Sequence, residues 1–337
     1  MMTLNDIIAQ PAAVNLLRRA YLSDRLPHGL IFAGPIGVGK ATTAAALCGL
    51  FLCEKPKKDL RCGVCQSCRL FEAGTHPDYH VITKELIRYH DKTGKSKGID
   101  LSKDVVLPEI VAKAAMKPAM GVGKTFVIEQ AELMSAAAQN ALLKTLEEPA
   151  GRTLIILLTD QFNSLLPTIR SRCQVIGFTS MDDATLLREL AKRGLSKTAA
   201  AEAARFVGGS LGEALRWTSD GVIDAAGKLV GKLEDIFAGK PAGDLPEWFK
   251  AAADDYAEKQ LARDELSSKD QATRQALGLY LRLAAEHLRM KLPAGGEATV
   301  LERSCKGIEA IAAAERYLDA NVSIPLLFGQ LAMALEA

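Results

Sequence analysis

The sequence contains no run of about 18 uninterrupted apolar residues, so a membrane-spanning helix is not expected. Its first residues, MMTLNDIIAQPAAV, lack a basic region followed by an apolar stretch, and no export signal is expected from them. An excess of one charge is also missing. The 42 basic and 40 acidic residues leave a net charge of +2, which excludes a histone-like polycation. Any contact with nucleic acid must come from a local patch or from partners. A disulfide framework is not expected either. The seven cysteines are odd in number and no export signal accompanies them. Apolar residues make up 48% and charged residues 24% of the chain, which argues against wholesale disorder. At 337 residues, two or three domains with real cores are expected.

The first half alternates short apolar runs with helical patterns. Runs at 28–33, 78–83, 125–129 and 153–159 predict strands, and 11–22, 42–52, 105–116 and 136–147 predict helices. Such alternation implies a parallel sheet covered by helices on both faces. Residues 88–104 are polar, lysine-rich and punctuated by glycine, and predict a surface loop. Beyond about residue 179 the strand signal is lost, and helical patterns broken by glycine and proline continue to the end. Boundaries are expected near 179 and 222.

One motif sits in the context its chemistry requires. Gly34-Pro-Ile-Gly37-Val-Gly39-Lys40-Ala41-Thr42 follows a predicted strand and opens a predicted helix. Glycines let backbone N–H groups wrap a phosphate, the lysine adds a mobile positive charge, and the helix N-terminus adds its dipole. This is a phosphate-binding P-loop with one departure. Ala41 stands where a Ser or Thr hydroxyl ordinarily coordinates Mg2+. Thr42 lies about 100° further around the helix and cannot replace it. A weakened site for ATP or ADP with Mg2+ is therefore expected. The similar string Gly121-Val-Gly123-Lys124-Thr125 precedes a strand and has Pro118 at the first glycine position, so a turn is expected there.

Two further patterns bear on catalysis. The strand 125–129 ends in Glu129-Gln130-Ala131-Glu132. Glu129 could reach a metal, but Gln130 cannot serve as a carboxylate base, and losing such a base commonly costs about 10²–10⁴ in rate. Glu132 is expected further on, on the next helix. Arg172, in Ser171-Arg172-Cys173, reads either as a surface ion-pair residue or as a cation offered to a neighbouring subunit's γ-phosphate. Separately, Cys53, Cys62, Cys65 and Cys68 have the spacing of a closed, structural tetrahedral Zn2+ site. His76 and His80 are expected to be ordinary loop and strand residues.

Taken together, these residues resemble the clamp-loader branch of the AAA+ family. The resemblance is carried by Arg25-Leu-Pro-His28, the P-loop, the four-cysteine insert and His76-Pro-Asp78. It is carried further by Asn140-Ala-Leu-Leu-Lys-Thr-Leu-Glu-Glu-Pro149 and Thr168-Ile-Arg-Ser-Arg-Cys173. It covers roughly residues 1–220 strongly. It implies an α/β P-loop AAA+ domain over 1–179 with the cysteine insert at 53–68. A small helical lid over 180–221 and an all-α collar over 222–337 would follow. It also implies a place in a hetero-pentameric ring with gamma/tau and delta subunits, which opens a sliding clamp on primed DNA. A bacterial, cytoplasmic, nucleoid-associated location at the replication fork follows from the same likeness. Within that branch Arg172 matches the finger that completes a neighbour's ATP site, and Thr159 matches the sensor position at a strand end. A gamma/tau-type ATPase would carry threonine at 41, an Asp-Glu pair at 129–130 and a lid arginine where Gly212 stands. These departures point to a non-hydrolysing stator, with an active ATPase of the gamma/tau type as the alternative.

Overall fold

The computed structural model describes residues 2–90, 100–263, 268–292, 298–320 and 323–336. The middle of the lysine-rich loop expected at 88–104 and the break expected at 293–296 lie outside them. The chain forms two compact units. The first takes residues 1–189 together with 209–213, and the second takes 190–208 and 214–337.

The first unit is built on five parallel strands: β1 (Gly29–Ala33), β2 (Tyr79–Ile82), β3 (Lys124–Ile128), β4 (Thr153–Thr159) and β5 (Gln174–Gly177). Their order across the sheet is β2-β3-β4-β1-β5. β1 and β4 are neighbouring inner strands and pair from Gly29 with Ile155 to Ala33 with Thr159. Successive strand side chains point to opposite faces, and the core divides accordingly. Leu30, Phe32, Leu154, Ile156 and Leu158 pack with the helices Pro11–Leu22 and Lys40–Phe51. Ile31, Ile155, Leu157, Phe126 and Ile128 pack on the other face with helix Ala136–Glu147. All seven residues of β4 are buried, the mark of a strand covered on both faces. This α/β P-loop arrangement is the one the sequence predicts.

Two departures have local causes. The helix expected over 105–116 is continuous from Lys103 to Ala115 but widens to π-helical winding over Leu107–Ala112. Pro108 lies in its first turn and has no N–H to close the ordinary hydrogen bond. The edge strand β5 was not among the predicted strands. Its four residues, Gln174-Val-Ile-Gly177, hold only two apolar side chains between a glutamine and a glycine, too short a run to mark a strand.

The second unit is entirely helical among its described residues. Its long helices are Val222–Phe237, Leu245–Leu261, Lys269–Met290, Ala298–Asp319 and Ile324–Glu336. Phe249 stacks on Phe328 with ring centroids 4.3 Å apart, and Trp248 meets Tyr280 edge-on at 5.3 Å. These contacts fasten three helices around one apolar centre. No described helix is long and apolar enough to cross a membrane.

Candidate functional site

In a parallel sheet, ligands bind beyond the carboxyl ends of the strands. Here Ala33 of β1 runs directly into the loop 34–39, and the Gly34 N–H donates to the carbonyl of Thr159, the last residue of β4 (3.2 Å). Helix Lys40–Phe51 follows the loop, with Gly39 in the left-handed conformation at its N-cap (φ 101°). The structure thus brings Gly34, Gly37, Gly39, Lys40 and Thr159 together. Ala41 and Thr42 are exposed on the first helical turn. The hydroxyl that bonds back to the loop belongs instead to Thr43, which donates to the Gly39 carbonyl at 2.8 Å.

Lys40 Nζ donates to the carbonyls of Gly34 (2.5 Å) and Pro35 (2.7 Å). Burial holds its ammonium below the ordinary lysine range, while the carboxylates of Asp160, Glu132 and Glu213 oppose that shift. Glu132 is one of these three acids. Glu132 lies on the tight turn Ala131–Leu133, not on the following helix. Its carboxyl faces the side chains of Thr159 and Asp160 and is pushed up mainly by burial. Its Oε2 is buried without a hydrogen-bond partner. Glu129 is also pushed up, first by burial and then by the Glu85 carboxylate. Gln130 is exposed and takes a left-handed backbone (φ 49°). That reversal folds the chain so that Glu132 turns back toward the loop. A sequence argument based on strand register alone had no signal for it.

The segment 209–213 belongs to the same compact unit and touches the loop directly. Ser210 Oγ donates to the Ile36 carbonyl at 2.8 Å, and the Gly212 N–H donates to the Gly37 carbonyl at 3.0 Å. A Cβ on Gly212 would lie 2.8 Å from Gly37 Cα. The backbone approach therefore requires glycine at 212 for a steric reason.

Arg172 lies at the other end of the sheet. It precedes β5, whose Gln174 pairs with Leu30 near the start of β1. Its carbonyl lies near Gly29, the first residue of that strand. The length of β1, about 3.3 Å per residue over five residues, separates it from the P-loop. The guanidinium donates from Nε to Glu147 Oε1 at 2.6 Å and from Nη1 to the Thr168 carbonyl at 3.0 Å. Glu147 is the last residue of helix Ala136–Glu147. Both specific segments of the sequence, 140–149 and 168–173, therefore meet at this arginine.

The four cysteines form a metal-capable cluster, with all four sulfur atoms within 4.8 Å of one another. The Cys53–Cys68 and Cys62–Cys68 sulfur pairs are 3.6 and 4.0 Å apart. Zinc–sulfur bonds of about 2.3 Å in a tetrahedron place sulfurs about 3.8 Å apart, so the donor set fits that ion. The N–H groups of Cys62, Cys65 and Cys68 donate to the sulfurs of Cys53, Cys62 and Cys65 at 3.3, 3.4 and 3.4 Å. Such bonds favour the thiolate a metal requires, and the Cys62 thiol is drawn down to about 6, chiefly by the backbone N–H groups of Val64 and Cys65. His76 and His80 are not in the cluster. His76 instead pegs the module to the sheet. Its Nε2 meets Ser67 Oγ at 2.9 Å, Ser67 Oγ donates to the Leu52 carbonyl at 2.6 Å, and His76 Nδ1 accepts from the Asp78 N–H at 3.1 Å. Asp78 in turn accepts from the N–H groups of Ala119 and Met120, each at 2.8 Å. His80 stacks on Phe126 at 4.9 Å.

Comparison with known proteins converges on one family. A DNA polymerase III subunit delta' of Pseudomonas aeruginosa is 40% identical over 146 residues, 43% of this chain and 41% of that protein. The subunit delta' of Escherichia coli is 35% identical over 156 residues, 46% of this chain and 43% of that protein. The DNA polymerase III subunit tau of Bacillus subtilis is 28% identical over 187 residues, 56% of this chain and 31% of that protein. The chain thus spans less than half the length of these relatives. The family described as DNA polymerase III, delta subunit, matches residues 9–182, a span that holds the whole sheet with both of its ends. By that match, over more than half of its length, this chain belongs to the DNA polymerase III delta subunit family.

Proposed function

We propose that this chain is a delta-prime-type subunit of the DNA polymerase III clamp loader that does not hydrolyse ATP itself and supplies Arg172 to the ATP site of a neighbouring subunit. The observation that carries this reading is the position of Arg172. It stands at the amino end of the parallel sheet, while Lys40 stands at the carboxyl end. Its charge cannot act on its own P-loop and is available to a molecule bound by a neighbour. A fixed cation of this kind supplied in trans accounts for about 10³–10⁵ in the rate of phosphoryl transfer.

The chain carries Ala41 where the P-loop would need a hydroxyl, Gln130 where a carboxylate base is expected and Gly212 where a lid arginine is expected. These departures support the absence of intrinsic turnover. The four cysteines would hold a structural Zn2+, which leaves no open coordination position for chemistry. The proposal retains the division into an ATPase-like domain over 1–179, a lid over 180–221 and a collar over 222–337. The partners it implies are gamma/tau and delta subunits in a five-membered ring, the sliding clamp and primed DNA. The net charge of +2 suits a subunit whose ring, rather than its own surface, holds the DNA.

The test is reconstitution. A ring assembled with Arg172→Ala should form normally and lose at least about tenfold of its clamp- and DNA-stimulated ATP turnover. Unchanged turnover removes the assignment. The alternative of a gamma/tau-type ATPase is favoured by one observation, the Glu132 carboxyl beside Thr159 and Lys40. Turnover by the isolated chain separates the two.

A further inference from the structure

At the amino end of the sheet, three groups converge on the first residue of β1. A Cβ on Gly29 would lie 3.0 Å from Cys173 Sγ, 3.2 Å from Leu146 Cδ2 and 3.3 Å from the Arg172 carbonyl oxygen. Cys173 and Leu146 are buried, so this crowding cannot be relieved into solvent. Gly29 does not have the positive φ that would itself call for glycine. A glycine inside a strand forgoes packing and marks the close approach of another backbone. Its part here is room. The backbone of Arg172 passes β1 where a side chain would otherwise stand.

The preceding residue governs the other end of the arginine. Glu147, which accepts from Arg172 Nε, is the last residue of helix Ala136–Glu147. The last carbonyls of a helix lack partners within it. The carbonyl of Leu146 accepts instead from His28 Nε2 at 2.5 Å. The His28 backbone is itself held in the sheet, where its carbonyl accepts the Ile155 N–H at 2.7 Å. The imidazole therefore ties the end of the helix to the start of β1, and the Glu147 carboxylate with it. A carboxylate at a helix C-terminus faces the negative end of the helix dipole. That placement is unfavourable locally and is offset by the guanidinium it holds.

We propose that His28 and Gly29 are positioning residues for Arg172. The imidazole sets the helix end that carries Glu147, and the missing side chain at 29 sets how closely the Arg172 backbone lies against the sheet. The proposal rests on the reading of Arg172 as a cation supplied to a neighbour's ATP site, and adds what decides where that cation stands. Such a group acts on charge that develops in the transition state, so its placement matters as much as its presence. Displacing a positioned group by about 1 Å can cost about a hundredfold in rate. An added methyl at 29 demands a shift of a few tenths of an ångström.

The experiment is ATP turnover by the assembled ring, with sliding clamp and primed DNA present and kcat and KM read separately. Each variant is made alone and together with Arg172→Ala, and ring assembly and thermal midpoint are recorded for all. His28→Ala and Gly29→Ala should each lower kcat about threefold or more, with KM for ATP unchanged. In a ring that already carries Arg172→Ala, neither should lower kcat further, because the group they position is gone. His28→Gln should restore most of the loss, since its amide can donate to the same carbonyl. A purely structural part for these residues would lower turnover by the same factor in both backgrounds, and that result overturns the proposal. Loss of turnover in Arg172→Ala with wild-type kcat in both His28→Ala and Gly29→Ala overturns the proposal and leaves the reading of Arg172 standing. Unchanged turnover in Arg172→Ala overturns that reading and the proposal with it.

Discussion

Arg172 is anchored before any partner arrives. Glu147 and the Thr168 carbonyl fix its direction, so a neighbour would meet an arginine whose rotamers are already restricted. The ion pair is about one-third to one-half exposed, and pairs of that kind contribute about 0–1 kcal/mol. Arg172→Ala should therefore leave the thermal midpoint of the isolated chain within about 2 °C of wild type by differential scanning calorimetry. A larger fall would make the residue structural. His287 tests the helical unit in the same way. Its Nδ1 accepts from Arg205 at 3.0 Å and its Nε2 meets Glu234 at 2.8 Å. Burial holds its imidazole below the ordinary value, Glu234 opposes that, and Arg205 and Lys291 add to it. The unfolded chain then takes the proton more readily than the folded one. The contribution is complete above pH 6.5, the unfolded value, and is lost as pH falls toward the folded value. Chemical denaturation at pH 7.5 and 5.5 should show a smaller acid-induced loss in His287→Gln than in wild type. Equal losses would show that the imidazole carries none of the pH dependence. At this scale the sequence was legible where a motif names its atoms, as at Lys40 and the four cysteines. It put Glu132 on the next helix instead of the turn Ala131–Leu133, because a single left-handed residue, Gln130, redirects the chain.

At the level of elements, the cysteine module shows how a local fold is joined to a sheet. Three N–H···S bonds shape the knuckle, and the Ser67–His76–Asp78 chain ties it to β2 and to the loop at 119–120. The motif His76-Pro-Asp78 was visible in the sequence, but its purpose needed coordinates, because its partners lie nine and about forty residues away. We expect one zinc per chain by metal analysis. Zinc at about 100 times its dissociation constant adds about 2.7 kcal/mol, so chelation should lower the thermal midpoint by about 5–11 °C. Cys65→Ser should do the same without chelator. A chain that holds no zinc and melts identically with chelator would contradict the assignment. Strands β1 to β4 were legible because each is an apolar run beside a glycine or a turn. Strand β5 was not, because Gln174-Val-Ile-Gly177 holds only two apolar residues, bounded by a glutamine and a glycine.

Across the whole molecule, the parallel sheet places two different chemistries at its two ends. The carboxyl end carries the glycine-rich loop 34–39 with its carbonyls engaged. The amino end carries an anchored arginine. Alternating strands and helices made the sheet predictable, and the loss of strand signal after residue 179 made the helical remainder predictable. The interleaving of the two compact units was not, because the exchange of 209–213 into the first unit depends on a glycine contact that no composition shift announces. The role we propose for this chain is to contribute to ATP chemistry without performing it. The deciding measurement is steady-state ATP hydrolysis by the purified chain, with primed DNA and sliding clamp present. No turnover above background is expected, whether or not nucleotide is bound. Sustained turnover that disappears with Lys40→Ala or Glu132→Gln would contradict it and identify the chain as a motor subunit.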